Sequence, residues 1–162
     1  MSDKRNTSIS FTVNGERFDD LTVSARQHLA DLLRSQGFTG THIGCEQGAC
    51  GACTIEIDGK AVRSCLILSS QANGATIKTV EGYDEPFMKI VKDNFLKHNA
   101  LQCGFCSPGM LMTTKEILSK KKKFTREEIR AEISGNYCRC TGYQSIVDAI
   151  EESIEESIEE IH

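Results

Sequence analysis

Ile9, Phe11 and Val13 alternate with polar residues, the period of a half-buried strand. Asn14-Gly15 follows as a two-residue hairpin turn, and a second short strand runs on through Phe18 and Leu21. Ser24 with Gln27 three residues later forms a capping-box pattern. After it Leu29, Leu32 and Leu33 share one helical face and Gly37 supplies the stop, so the pattern predicts a helix here. Thr54 to Ile57, Asp58-Gly59 and Ala61 to Leu68 read as a second hairpin, with Ala75 to Val80 as a further strand. The expected unit is a small mixed sheet packed on one helix.

From about residue 84 the period becomes helical. Phe87, Ile90, Val91 and Phe95 make one apolar stripe, and Ser107-Pro108 opens a second helix through Met110, Leu111, Thr114 and Leu118. Thr125 with Glu128 is another capping box, starting a helix that ends near Gly135. A last helix carries Ile146, Val147, Ile150, Ile154, Ile158 and Ile161 on one side, a stripe suited to packing within the chain or to docking a partner. The change of period predicts two domains, a β-rich one over residues 1–80 and a helical one over 81–162, joined near Val80 to Pro86.

Composition fits a soluble globular chain: 39% of the 162 residues are hydrophobic, 26% are charged, and Pro occurs only twice. No apolar stretch approaches the roughly 20 residues that cross a bilayer. Met1 to Ser10 lacks the apolar core of a secretory signal, so a cytoplasmic location is expected. A net charge of −4 argues against nucleic-acid binding, which needs a basic surface. The basic run Lys120 to Lys123 reads as a solvated helix end. The acidic pairs Glu151-Glu152 and Glu155-Glu156 read as a solvated helix face. Neither a dinucleotide-binding glycine fingerprint nor a phosphate-binding loop is present.

Eight cysteines change the picture, because a reducing compartment disfavours disulfides and leaves metal ligation as the leading use. Cys45, Cys50 and Cys53, with Cys65 further on, have the Cys-x4-Cys-x2-Cys spacing of plant-type [2Fe-2S] ligation. Gly44, Gly48 and Gly51 give that loop the freedom to curl around a diiron core. A four-cysteine zinc site fits less well, since zinc more often takes two separated pairs. Cys103-x2-Cys106 and Cys138-x-Cys140 are such pairs, 31 residues apart, and spacing alone leaves zinc and iron–sulfur both open for them. His28, His42, His98 and His162 are scattered; only His42, near Cys45, invites a Rieske-type reading, which would need two histidines.

Three stretches carry a resemblance. Gly44-Cys45-Glu46-Gln47-Gly48-Ala49-Cys50-Gly51-Ala52-Cys53, Gln102-Cys103-Gly104-Phe105-Cys106-Ser107-Pro108-Gly109-Met110 and Gly135-Asn136-Tyr137-Cys138-Arg139-Cys140-Thr141-Gly142-Tyr143 resemble the small subunits of the xanthine oxidase family of molybdenum hydroxylases. The resemblance implies an α+β chain: an N-terminal ferredoxin-like β-grasp domain, then a C-terminal four-helix [2Fe-2S]-binding domain. Cys45, Cys50, Cys53 and Cys65 would ligate one cluster, and Cys103, Cys106, Cys138 and Cys140 the other. It further implies a large molybdopterin-binding subunit where substrate reacts, a medium FAD-binding subunit, and a dimer of heterotrimers. The helical-domain cluster would lie nearest molybdenum, the β-grasp cluster would relay electrons toward flavin, and Gln102 and Cys140 would approach the pterin. A free two-cluster ferredoxin and a zinc-stabilised interaction module are the competing readings.

Overall fold

The computed structural model describes residues 6–159, without the side chains at 158 and 159. Of the predicted terminal stripe, Ile161 and the side chain of Ile158 therefore lie outside the described residues, as does His162. Five strands form one mixed sheet: β1 (Asn6–Val13), β2 (Glu16–Ser24), β3 (Thr54–Ile57), β4 (Lys60–Arg63) and β5 (Thr76–Lys78), in the order β2-β1-β5-β3-β4. The β1/β2 and β3/β4 hairpins turn at Asn14-Gly15 and Asp58-Gly59, where Asn14 and Asp58 take the left-handed backbone that such turns require. The strand β5 joins the hairpins, parallel to β1 and antiparallel to β3. Helix α1 (Leu29–Ser35) lays Leu29, Leu32 and Leu33 over Phe11, Val13, Ile55 and Ile77, and this closes the first core.

Three local expectations are corrected here. Ser24 is not a helix cap: it ends β2, paired with Asn6, and α1 begins at Leu29, its start set by Leu29 N–H donating to Ile67 O at 2.8 Å. The second strand of the β3/β4 hairpin stops at Arg63 instead of reaching Leu68. The N–H and hydroxyl of Ser64 both donate to Cys53 O, at 3.2 and 2.7 Å, and coil Ser64–Leu66 into a 3-10 turn. The strand expected over Ala75 to Val80 is β5 alone, because Asn14 Oδ1 takes the Thr79 N–H at 2.9 Å and Val80–Gly82 turns as a further 3-10 segment.

Four helices follow: α2 (Pro86–Lys97), α3 (Ser107–Ser119), α4 (Arg126–Glu132) and α5 (Gln144–Glu159). They enclose a separate core of Met88, Val91, Phe95, Met110, Ile117 and Ile129 with Ile146, Val147, Ile150 and Ile154 of α5. The buried face of α2 is rotated from the predicted stripe: Met88 and Asn94 are inside while Phe87 and Ile90 are half-exposed, since Asn94 Nδ2 faces Ser153 Oγ of α5 at 3.2 Å. Helix α3 buries a wider face than its stripe suggested, adding Met112, Thr113 and Ile117, because it packs on β3 and β4 as well as on the other helices. The acidic pairs of α5 are only partly solvated, with Glu151 held by Arg126, and Glu152 by Lys97 and His98. No helix among the described residues is long and apolar enough to cross a membrane.

Candidate iron–sulfur sites

The loop from Thr41 to Cys53 leaves α1 and returns into β3, and it curls through left-handed backbone at Glu46, Gly48 and Gly51. Cys45 and Cys50 stand half-exposed on it while Cys53 is buried. The 3-10 turn after β4 delivers buried Cys65 beside Cys53. Cys50 N–H points at Cys45 Sγ, 3.4 Å away. The N–H groups of Gln47 and Cys50 hold the Cys45 thiol down at about 7, while burial and then the neighbouring Cys53 push Cys65 up to about 12. One thiolate is thus stabilised by backbone dipoles, and another needs a cation before it can ionise.

The second set lies at helix ends. Cys103 and Cys106 precede α3, whose first residue is Ser107, and Cys138 and Cys140 lie between the 3-10 turn at Ile133–Gly135 and α5. Cys103 Sγ and Cys140 Sγ are 3.5 Å apart at the surface. Cys138 is buried and faces Cys106, whose thiol is pushed up to about 12 by burial and then by Cys138. Burial pulls Cys138 the same way, but hydrogen bonds from the Thr141 hydroxyl and from the Thr141 and Cys140 N–H groups outweigh it and hold Cys138 lower.

Among the described residues no three His, Cys, Asp or Glu side chains converge on one point as a single ion would require. The thiols approach in pairs instead: Cys45 with Cys50, Cys53 with Cys65, Cys103 with Cys140 and Cys106 with Cys138. Two pairs per site is the donor pattern of a diiron core, with two thiolates for each iron. Next to Cys106 in sequence, Ser107 Oγ is buried and has no protein partner, which leaves its hydroxyl available to a cluster sulfur. The residues present therefore fit two [2Fe-2S] clusters.

The two ligand loops touch. Tyr137 N–H donates to Cys50 O at 2.8 Å, which joins the residue beside Cys138 to a cysteine of the other set. Buried Asn136 donates through Nδ2 to Gly51 O at 3.3 Å and accepts from the Thr113 hydroxyl at 2.9 Å, and Arg63 Nη2 donates to Gly135 O at 2.8 Å. Side chains are excluded where the backbones meet: a Cβ on Gly51 would fall 2.4 Å from Gly135 O, and one on Gly109 would fall 2.2 Å from Gly51 O. His42 bridges the loops as well: its Nδ1–H donates to Phe105 O at 2.8 Å and its ring stacks on Phe105. Gln102 and Cys140 are brought together, with Gln102 Nε2 donating to Cys140 O at 3.2 Å.

Residues 11–79 match the family described as 2Fe-2S iron-sulfur cluster binding domain, and residues 79–151 match the [2Fe-2S] binding domain. The nicotine 6-hydroxylase small subunit of Paenarthrobacter nicotinovorans is 50% identical, over 88% of this chain and 86% of its own length. The xanthine dehydrogenase iron-sulfur-binding subunit of Escherichia coli O157:H7 is 42% identical, over 93% and 96%. The chain is a small iron–sulfur subunit of the xanthine oxidase family of molybdenum hydroxylases. Among solved structures, a chain of quinoline 2-oxidoreductase from Pseudomonas putida 86 superposes on the subunit with a TM-score of 0.88 and 48% identity, covering 97% of this chain and 98% of that one. The expected order, β-grasp domain then helical [2Fe-2S] domain, is the order found in the subunit. Its place is that of the two-cluster electron-transfer component of an oxidoreductase, with the substrate site on another subunit. The free ferredoxin and zinc-module readings are not favoured.

Sequence reasoning missed Asn136, Arg63 and Phe105. Asn136 and Phe105 lay inside the quoted motifs, but their contacts cross 85 and 63 positions of sequence, and no local pattern announces them.

Proposed function

We propose that the subunit passes electrons from a molybdopterin-bound molybdenum centre on a large subunit to FAD on a medium subunit, within a dimer of heterotrimers working in the cytoplasm. The chain divides into units at 1–80 and 81–162, a division supported by the separate cores of the sheet and of the helices. Cys103, Cys106, Cys138 and Cys140 hold the cluster that receives electrons, and Cys45, Cys50, Cys53 and Cys65 hold the cluster that hands them on. Each cluster, when bound, carries one electron at a time.

The observation that carries this reading is the seam between the ligand loops. The Tyr137 N–H to Cys50 O hydrogen bond makes a short route of covalent and hydrogen bonds from Cys138 to Cys50. At the far side of the second set, Cys103 and Cys140 are exposed with Gln102 over the Cys140 carbonyl, which supports that side as the entry point. The Gln102 amide can both donate and accept, so it is suited to holding a pterin edge against Cys140.

Rapid mixing of the assembled complex with its substrate, following each cluster separately, tests the order. Gln102→Ala leaves both clusters assembled and slows substrate-driven reduction of both about tenfold or more, while direct reduction by dithionite is unchanged. Normal substrate-driven rates in the variant would remove the coupling role. Reduction of the β-grasp cluster before the helical one would reverse the order.

A further inference from the structure

The second ligand set is bordered by a hydroxyl that ligation does not use. Thr141 Oγ1 lies 3.1 Å from Cys138 Sγ, and the Tyr143 N–H donates to the same oxygen at 3.1 Å. A hydroxyl has lone pairs to accept with and one proton to give. A thiolate on iron has no proton, so the bond between the two side chains has one polarity, Thr141 O–H toward sulfur. The Tyr143 N–H takes one of the oxygen's lone pairs and leaves its single proton free to point at the sulfur. The backbone at Gly142 and Tyr143 is left-handed in both residues, at φ +66° and +69°, and it folds the N–H back onto Thr141.

Cys138's own N–H is withdrawn from the sulfur, because it donates to the Tyr143 phenol oxygen at 2.8 Å. The hydroxyl is thus the side-chain donor at this cysteine, acting beside the Thr141 and Cys140 N–H groups. Cys138 is only 7% exposed, so water competes little for the sulfur. In so dry a setting a hydrogen bond to a charged group is worth more than in water.

We propose that Thr141 is the tuning residue of the helical-domain cluster: its O–H donates to Cys138 Sγ and holds the reduction potential above the value four thiolates alone would set. Reduction adds one negative charge to the cluster, part of it on the cysteine sulfurs, and a donor aimed at such a sulfur stabilises the reduced state more than the oxidised one. The inference rests on the assignment of Cys138 as a ligand of that cluster.

The test is a redox titration of the purified complex, each cluster followed by its own electron paramagnetic resonance signal. Thr141→Val keeps the shape and removes the O–H, and Thr141→Ser keeps the O–H. In the Val variant the equilibrium constant for reducing the helical-domain cluster falls about tenfold, a shift of about 59 mV to lower potential for a one-electron couple. The potential of the β-grasp cluster does not move, and the Ser variant stays within about twofold of the parent. An unshifted Val variant overturns the proposal, as does a Ser variant that falls as far as Val. Should Val fail to assemble, Thr141→Ala carries the same expectation. If Val and Ala both lose the helical-domain signal while Ser keeps it, the hydroxyl serves assembly and the proposal fails. Failure of the underlying ligand assignment looks different: a Cys138→Ala complex would then retain the unaltered helical-domain signal.

Discussion

At Cys50 both halves of one residue are engaged, the thiol facing Cys45 and the carbonyl accepting the Tyr137 N–H from the other ligand loop. Its thiol is raised by burial, so the sulfur becomes a ready donor only opposite a cation. Cys106 has the corresponding place in the second set, raised by burial and then by Cys138. No thiol pair crosses between the sets among the described residues. Cys50→Ser and Cys106→Ser are therefore expected to erase different electron paramagnetic resonance signals, each leaving the other signal at full intensity. Loss of both signals from a folded variant would break the grouping. The cysteines themselves were legible because cysteine is rare and its spacing is read locally. Their supporting contacts, such as Asn136 to Gly51, were not, because they exist only once distant segments meet.

Helix α4 shows an element whose start is written in its own first turn. Thr125 Oγ1 accepts the Glu128 N–H at 3.2 Å, and the Glu128 carboxylate accepts the Thr125 N–H at 2.7 Å. That N–H, helped by Lys122, holds Glu128 below the ordinary glutamate value of 4.5. Because the folded value is the lower one, the contribution of this charge is complete above 4.5 and is lost as pH falls through the depressed value. Thr125→Ala, measured at pH 7 where the cap is intact, should cost about 1 kcal/mol in thermal unfolding. An unchanged melting temperature would show that packing alone sets the start of α4. The contrast with α1 is instructive: Ser24 and Gln27 offer the same capping pattern, yet β2 takes Ser24 as its last paired residue. Local signals hold where nothing distant competes for the same backbone groups.

Over the whole chain, one mostly buried ion pair ties the sheet to the helices. Glu56 of β3 pairs with Lys115 of α3 and also accepts the Tyr83 hydroxyl at 2.8 Å, their side chains 13% and 18% exposed for Glu56 and Lys115. Burial and then Glu56 hold the Tyr83 phenol above its usual range, so it remains a donor. Lys115→Met leaves the Glu56 carboxylate without its cation and should lower stability by about 3 kcal/mol, a fall of roughly 6–12 °C in Tm. Adding Glu56→Gln should recover part of that loss, and a double variant no better than the single one would mean the pair is not the tie. The two hairpins and the change from strand to helix period were readable from the sequence, whereas this tie was not, because Glu56 and Lys115 are 59 positions apart. The bare backbone where Gly51 meets Gly109 and Gly135 has its own consequence at this scale. Electron tunnelling decays exponentially with the gap to be crossed, and a methyl group at either Gly51 or Gly109 would wedge the loops apart by a carbon's thickness. These glycines act as spacers of zero width, and on the proposed route the rate at which charge hops across the seam depends on what the chain leaves out there.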